Sequence, residues 1–179
     1  KAAGFNGVVD NFKKYLSDYY VPVDKTSSIG TSTFSAKQLG NWTFSGDNNR
    51  LDIGDGYCAS FDLAGNFTHS TITGLEKGIY KLTVDAFFRY GFPERNIELK
   101  DAGYEYLSTA YLKANDEQAQ IKTWVEEKDE PGNPNVHTPY WPDEAVAAFK
   151  EGRYDNEVYV YVGDEGNLDI TIGRATTVA

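Results

Sequence analysis

From Ile72 to Gly91 the chain reads ITGLEKGIYKLTVDAFFRYG, and this stretch restricts the fold more than any other. A turn signal, Leu75-Glu76-Lys77-Gly78, precedes an alternation in which Ile79, Leu82, Val84, Ala86 and Phe88 supply apolar side chains and Lys81, Thr83, Asp85 and Arg89 polar ones. A period of two puts successive side chains on opposite faces, so the stretch predicts one long half-buried strand from Ile79 to Tyr90.

Eight more short strands follow the same reading, near Trp42–Phe44, Arg50–Ile53, Tyr57–Leu63, Phe67–Ile72, Tyr104–Leu112, Gln118–Val125, Glu157–Val162 and Asn167–Ile172. Short strands with turn signals between them predict an antiparallel β-sandwich. Two segments depart from it. Asp143 to Lys150 reads as a short helix with Asp143 as its cap, and Glu126 to Pro142 as a loop punctuated by five prolines and glycines, among them Pro139 and Pro142. Before the strands, Phe5, Val8, Val9, Phe12, Leu16 and Tyr19 recur at helical spacing, which predicts an amphipathic helix ended by Pro22. The expected division is a helix and linker over residues 1–28 and the β-module over 29–179. At 179 residues, one core is the default organisation.

The chain carries 27 acidic against 17 basic residues, a net charge of -10 that repels a phosphate backbone and an anionic membrane surface. Nucleic acid is therefore not an expected partner, and no apolar run approaches the length of a membrane span. Cys58 is the chain's one cysteine, so no internal disulfide can form. It reads as a small strand residue. No methionine occurs, even at position 1, so the chain is expected to be a processed protein or part of a longer one.

The pattern from Leu75 to Gly91 resembles a strand of surface proteins of gut Bacteroidetes, in modules with a galactose-binding-like β-sandwich. The similarity continues through Ala110-Tyr111-Leu112-Lys113-Ala114-Asn115, then Glu144-Ala145, Ala148-Phe149, Gly152, Tyr154 and Asn156, and ends with Leu168-Asp169-Ile170-Thr171-Ile172-Gly173. It spans roughly residues 41–174. It implies a jelly-roll, galactose-binding-like module, extracellular or on the bacterial cell surface, that binds a glycan without catalysis beside other modules of the same or a partner protein. It also implies a further strand beyond Ala179, without which a sheet edge next to Ile170 and Ile172 would stay open.

Sugar recognition needs flat apolar faces for the C–H side of a ring and planar polar groups for its hydroxyls. Pro139-Tyr140-Trp141-Pro142 offers Tyr140 and Trp141 held out of regular structure by the flanking prolines. A Trp folded back on the core is the competing reading. Arg89 and Tyr90 fall where the long strand opens into a loop, with Asp85 on the face of Arg89 but about 13 Å away along one strand. Arg89 is either a ligand contact or a clamp on a neighbouring loop, and its place in the resembling pattern favours the clamp. Tyr159 and Tyr161 alternate with valines as an outward aromatic pair, which suits cross-strand packing.

The segment Ser45 to Gly56 is rich in oxygen donors. Asp47, Asn49, Asp52 and Asp55 are candidate calcium ligands, carried by the resemblance, with turn chemistry as the alternative. His69 and His137 lie far apart without ligand-spaced partners, and no nucleophile elbow, zinc pair or phosphate loop is present. A glycosidase needs only two carboxylates about 5 to 9.5 Å apart, which no motif announces, so hydrolysis stands as a third function behind glycan binding and a structural or protein-interaction role.

Overall fold

The computed structural model describes residues 38–61, 65–91, 96, 98, 102, 108–124 and 142–174. All of them lie within one compact unit, Ser32–Ala179. The amphipathic helix expected near the N-terminus lies outside the described residues, as do Tyr140, Trp141 and His137.

The described residues include nine strands and the α-helix α1: β1 (Trp42–Phe44), β2 (Leu51–Gly54), β3 (Tyr57–Ser60), β4 (Phe67–His69), β5 (Gly78–Asp85), β6 (Ala110–Ala114), β7 (Glu117–Gln120), α1 (Pro142–Lys150), β8 (Asp155–Val162) and β9 (Ile170–Arg174), with Asn96 and Glu98 also helical. The described residues are thus mostly β, in antiparallel sheets. One sheet has five strands in the order β1-β4-β9-β6-β7, β5 pairs with β8, and β2 with β3. The helix begins at Pro142, whose missing N–H costs nothing in a first turn, so Asp143 falls inside the helix rather than ahead of it as a cap.

The long strand is shorter than its pattern promised and differs in register. β5 ends at Asp85, and the side chain turned inward is Tyr80, not Ile79. Ile79 is 49% exposed, beside Lys81, Thr83 and Asp85 on the outer face. Leu82 and Val84 share parity with Tyr80, and the tyrosine hydroxyl escapes burial by donating to the Glu76 carbonyl at 2.8 Å.

Apolar side chains from both pairings meet in one core. Leu112 and Ala114 of β6, Ile170 of β9 and Ile121 face Val158, Val160 and Val162 of β8, with Leu82, Val84 and Tyr80 of β5 against them. β9 pairs with β4 on one side and β6 on the other, so Ile170 and Ile172 do not border an open edge as expected from the resemblance. The outer strands of that sheet are β1 and β7.

Beyond β5 the chain is held by polar staples. Asn156, 5% exposed, donates Nδ2 to the carbonyls of Ala86 (2.8 Å), Tyr154 (2.6 Å) and Val84 (3.2 Å), and its Oδ1 accepts from Lys122 N at 2.7 Å. Phe88 then pairs as an isolated parallel bridge with Thr123. Tyr154, fully buried, donates to the Trp124 carbonyl at 2.8 Å and packs on Phe87 at 4.8 Å between ring centres. Phe149 of α1 closes this group, edge-on to Tyr154 at 6.2 Å. Ala145 and Ala148, three apart on one helix face, are buried beside it.

Candidate functional site

The five-stranded sheet turns Leu112, Ala114 and Ile170 inward and leaves alternate residues on the other face. Register fixes what that face presents. Thr43, Thr68, Thr171, Lys113 and Gln118 stand opposite one another in a row across all five strands. At about 4.8 Å per strand this polar row spans roughly 19 Å. The next level holds Gly173 opposite Tyr111, with Gln120 beyond.

Where Lys113 and Thr171 approach the strand ends, the row opens into a groove of about 580 Å³ lined also by Asn115, Asp116, Gly163, Glu165, Asn167 and Asp169. Two connections build it: the turn Asn115-Asp116 between β6 and β7, and the segment 163–169 between β8 and β9. Asn115 adopts φ +50°, a left-handed conformation that asparagine tolerates better than most residues. Its side chain locks the two connections together, Nδ2 donating to Asn167 O at 3.2 Å and Oδ1 accepting from Asp169 N at 2.8 Å. Asp169 in turn accepts from the Thr71 hydroxyl at 2.6 Å, and Ile72 bridges Leu168. The rim is thus anchored to a third segment. Lys113, Asp116, Glu165 and Asn167 have no side-chain hydrogen bond or ion pair to any described residue. The groove therefore offers one ammonium, two free carboxylates and an amide, planar and charged groups able to bind hydroxyls.

Of the site residues expected from sequence, Tyr140 and Trp141 lie outside the described residues, and Asp85, Arg89 and Tyr90 are not among those lining this groove. Asp85 ends β5 on its outer face, directly opposite Asp155. Arg89, half-buried, and Tyr90, 51% exposed, follow the Phe88 bridge. The buried Asn96 holds Tyr90 in place by exchanging two 3.0 Å bonds with its backbone N–H and carbonyl. The strand break after Asp85 removes the single-strand geometry from which the separation of Asp85 and Arg89 was reckoned. Sequence reasoning passed over the groove, because only register and loop return bring its residues together.

Of the candidate calcium donors, Asp47, Asn49 and Asp55 lie in turns and Asp52 on a strand. Asp47 caps the 3-10 turn Asn48–Arg50, accepting from both Asn49 N and Asn49 Nδ2 at 3.0 Å. Asp52 stands on β2 and accepts from the Tyr57 hydroxyl at 3.4 Å, while Asp55 forms the β2–β3 turn with Gly56. Among the described residues no group of three or more His, Cys, Asp or Glu converges as metal ligands would. Burial first, then the Asp52 charge, push the Cys58 thiol up to about 12, which disfavours the thiolate. His69 stacks edge-on with Trp42 at 5.0 Å and its Nδ1 sits 2.6 Å from Ser70 O.

Asp85 shows how like charges are accommodated on this surface. Partial burial, then its hydrogen bond with Asp155 and that neighbour's charge, raise its pKa. A carboxyl with a raised folded pKa binds its proton more tightly folded than unfolded. The stability this brings is full below the unfolded value of about 3.9 and is lost as pH rises through the raised folded pKa. Asp85→Asn is accordingly expected to raise the melting temperature at about pH 7 and to leave it unchanged near pH 3. The gain should stay under about 1 kcal/mol, because both carboxyls face solvent. Equal melting temperatures at both pH values would show that the pair costs nothing.

No protein-family model, no curated protein and no solved structure was found to match this chain.

Proposed function

We propose that the chain is a non-catalytic extracellular module that binds carbohydrate, built as a galactose-binding-like jelly-roll sandwich within a larger bacterial surface or secreted protein. The observation that carries the reading is the groove at Asn115 and Asp169. Its volume lies within the range of roughly 300 to 1,000 Å³ typical of ligand sites. Of its lining, Asp116, Glu165 and Asn167 keep planar polar groups with no hydrogen bond to any described residue, on a rim rigidified by Asn115. Bidentate amides and carboxylates suit the adjacent hydroxyls of a pyranose.

Single-site affinity is expected in the millimolar to micromolar range, about 4 to 8 kcal/mol, with avidity from neighbouring modules. Titration calorimetry of the full chain against glycans that it retains on an array should show such binding with no release of reducing ends. The double substitution Asp116→Ala, Glu165→Ala should weaken it at least about tenfold, the loss of about 1.4 kcal/mol. A variant that binds as tightly as the parent would place the sugar elsewhere, and a chain that binds no glycan would favour a second reading. That reading, a structural or protein-interaction module, is supported by Ile79 and Tyr161, which oppose each other on the outer face of the β5–β8 ladder at 49% and 57% exposure.

A further inference from the structure

Tyr111 and Gly173 are cross-strand partners on the outward face of the five-stranded sheet, one residue pair beyond Lys113 and Thr171 on that face. A side chain on a strand ordinarily stands perpendicular to its sheet. Tyr111 does not. A Cβ built on Gly173 would meet the Tyr111 hydroxyl oxygen at 2.7 Å and ring carbon Cζ at 2.8 Å, and would collide with Oδ1 of Asn66. The tyrosine tip therefore reaches from β6 across to β9 and rests above the glycine backbone. The glycine is the reason it can: any other residue at position 173 would lift the ring off the sheet. Tyr111 is half-buried, and its hydroxyl makes no hydrogen bond to any described residue.

Resting on the reading of this chain as a carbohydrate-binding module, we propose that Tyr111, laid across Gly173, is the stacking platform of the site and that the ligand is a neutral glycan chain running from this platform into the groove. A pyranose presents an apolar C–H face, and an aromatic ring lying along a sheet offers the matching flat surface. Lys113 follows on the same face at about 7 Å along the strand, near the repeat of a sugar chain, and leads into the groove with Thr171. Charge selects the neutral polymer. Asp116, Glu165 and Asp169 outnumber Lys113, and the whole chain carries -10, so a polyuronate would be repelled both at the groove and at a distance. Lys113 then donates to hydroxyl oxygens rather than pairing with a carboxylate.

The test is native affinity electrophoresis of the full chain in gels containing neutral polymers (laminarin, hydroxyethylcellulose, galactan, xylan) or an acidic one (polygalacturonate), with Tyr111→Ala, Tyr111→Phe and Gly173→Ala. Retention by at least one neutral polymer is expected. Tyr111→Ala should lose it at least about tenfold, Tyr111→Phe should keep most of it, and Gly173→Ala should weaken it. Tyr111 is half-buried, so Tyr111→Ala is expected to melt below the parent but still cooperatively and above the temperature of the gel, which separates lost binding from lost folding. Equal retention of parent and Tyr111→Ala overturns the platform while leaving carbohydrate binding intact. Retention by polygalacturonate alone overturns the ligand class, and no retention on any gel removes the underlying reading and the platform with it.

Discussion

Tyr154→Ala is expected to lower the stability of this domain by about 4 kcal/mol, the usual cost of emptying an aromatic-sized site that its neighbours cannot refill. The side chain is fully buried, and three groups lean on it: Phe87 at 4.8 Å, Phe149 at 6.2 Å and the Trp124 carbonyl, which takes its hydroxyl proton at 2.8 Å. Phe149 is the residue by which α1 meets this cluster, so truncation also loosens the helix. At about 2 to 4 °C per kcal/mol for a chain of this size, the melting temperature should fall by about 8 to 16 °C. Tyr154→Phe divides the effect, since it keeps the packing and removes only the hydrogen bond to the Trp124 carbonyl, for about 1 to 2 kcal/mol. Differential scanning calorimetry of both variants reads the two contributions separately. A Tyr154→Ala protein melting within two degrees of the parent would mean that the cluster is not cooperative with the sheets.

Asn156→Leu is expected to cost about 3 kcal/mol, although leucine is close in volume and more apolar. The reason is what remains behind. Val84 and Tyr154 carbonyls lie within the ladder or receive another donor, as Tyr154 O does from Ala86 N at 3.1 Å. The Ala86 carbonyl and Lys122 N–H, in contrast, have the Asn156 amide as their one hydrogen-bond partner among the described residues. Each buried group left unpaired costs about 1 to 3 kcal/mol. Asn156→Asp supplies a control, because its carboxylate can still accept from Lys122 N but repels three carbonyl oxygens until it is protonated. Its deficit should therefore exceed that of the leucine variant at neutral pH and shrink on acidification. Urea unfolding across pH would show this, and a pH-independent deficit would contradict it.

How far the sequence disclosed this molecule varies with the range of the interaction. Trp42–Phe44 and Leu51–Gly54 could be read nearly residue for residue, because alternation and the Asp55-Gly56 turn are local signals. In β5 the alternation breaks parity between Ile79 and Leu82, and the break was visible; Tyr80, amphipathic, was the residue that could fill the inward place. Strand partners were not legible, since nothing near Phe67 names Ile172 as its neighbour. The same holds for the staples. Asn156 reaches Lys122 across 34 residues and Ala86 across 70, and Asn115 reaches Asp169 across 54, with no periodicity to betray them. Asp85, Arg89 and Tyr90 were legible as surface chemistry but not as a cluster, and Gly173 gained its meaning only when Tyr111 lay opposite it.

The position of β9 has a consequence for how the chain is made. It is the last strand of the described residues, yet it sits in the middle of the five-stranded order with β4 and β6 on its flanks. During synthesis β1 with β4, and β6 with β7, can pair early, but each waits with one exposed row of backbone groups until residues 170–174 emerge. Ribosomes add about 5 to 20 residues per second, so the pieces persist for seconds as unfinished edges, the state in which strands pair with the wrong chain. Closure over such separations also folds slowly. This protein should therefore refold well only when dilute, and a nascent chain arrested before Ile170 should be a chaperone client rather than a partly working module.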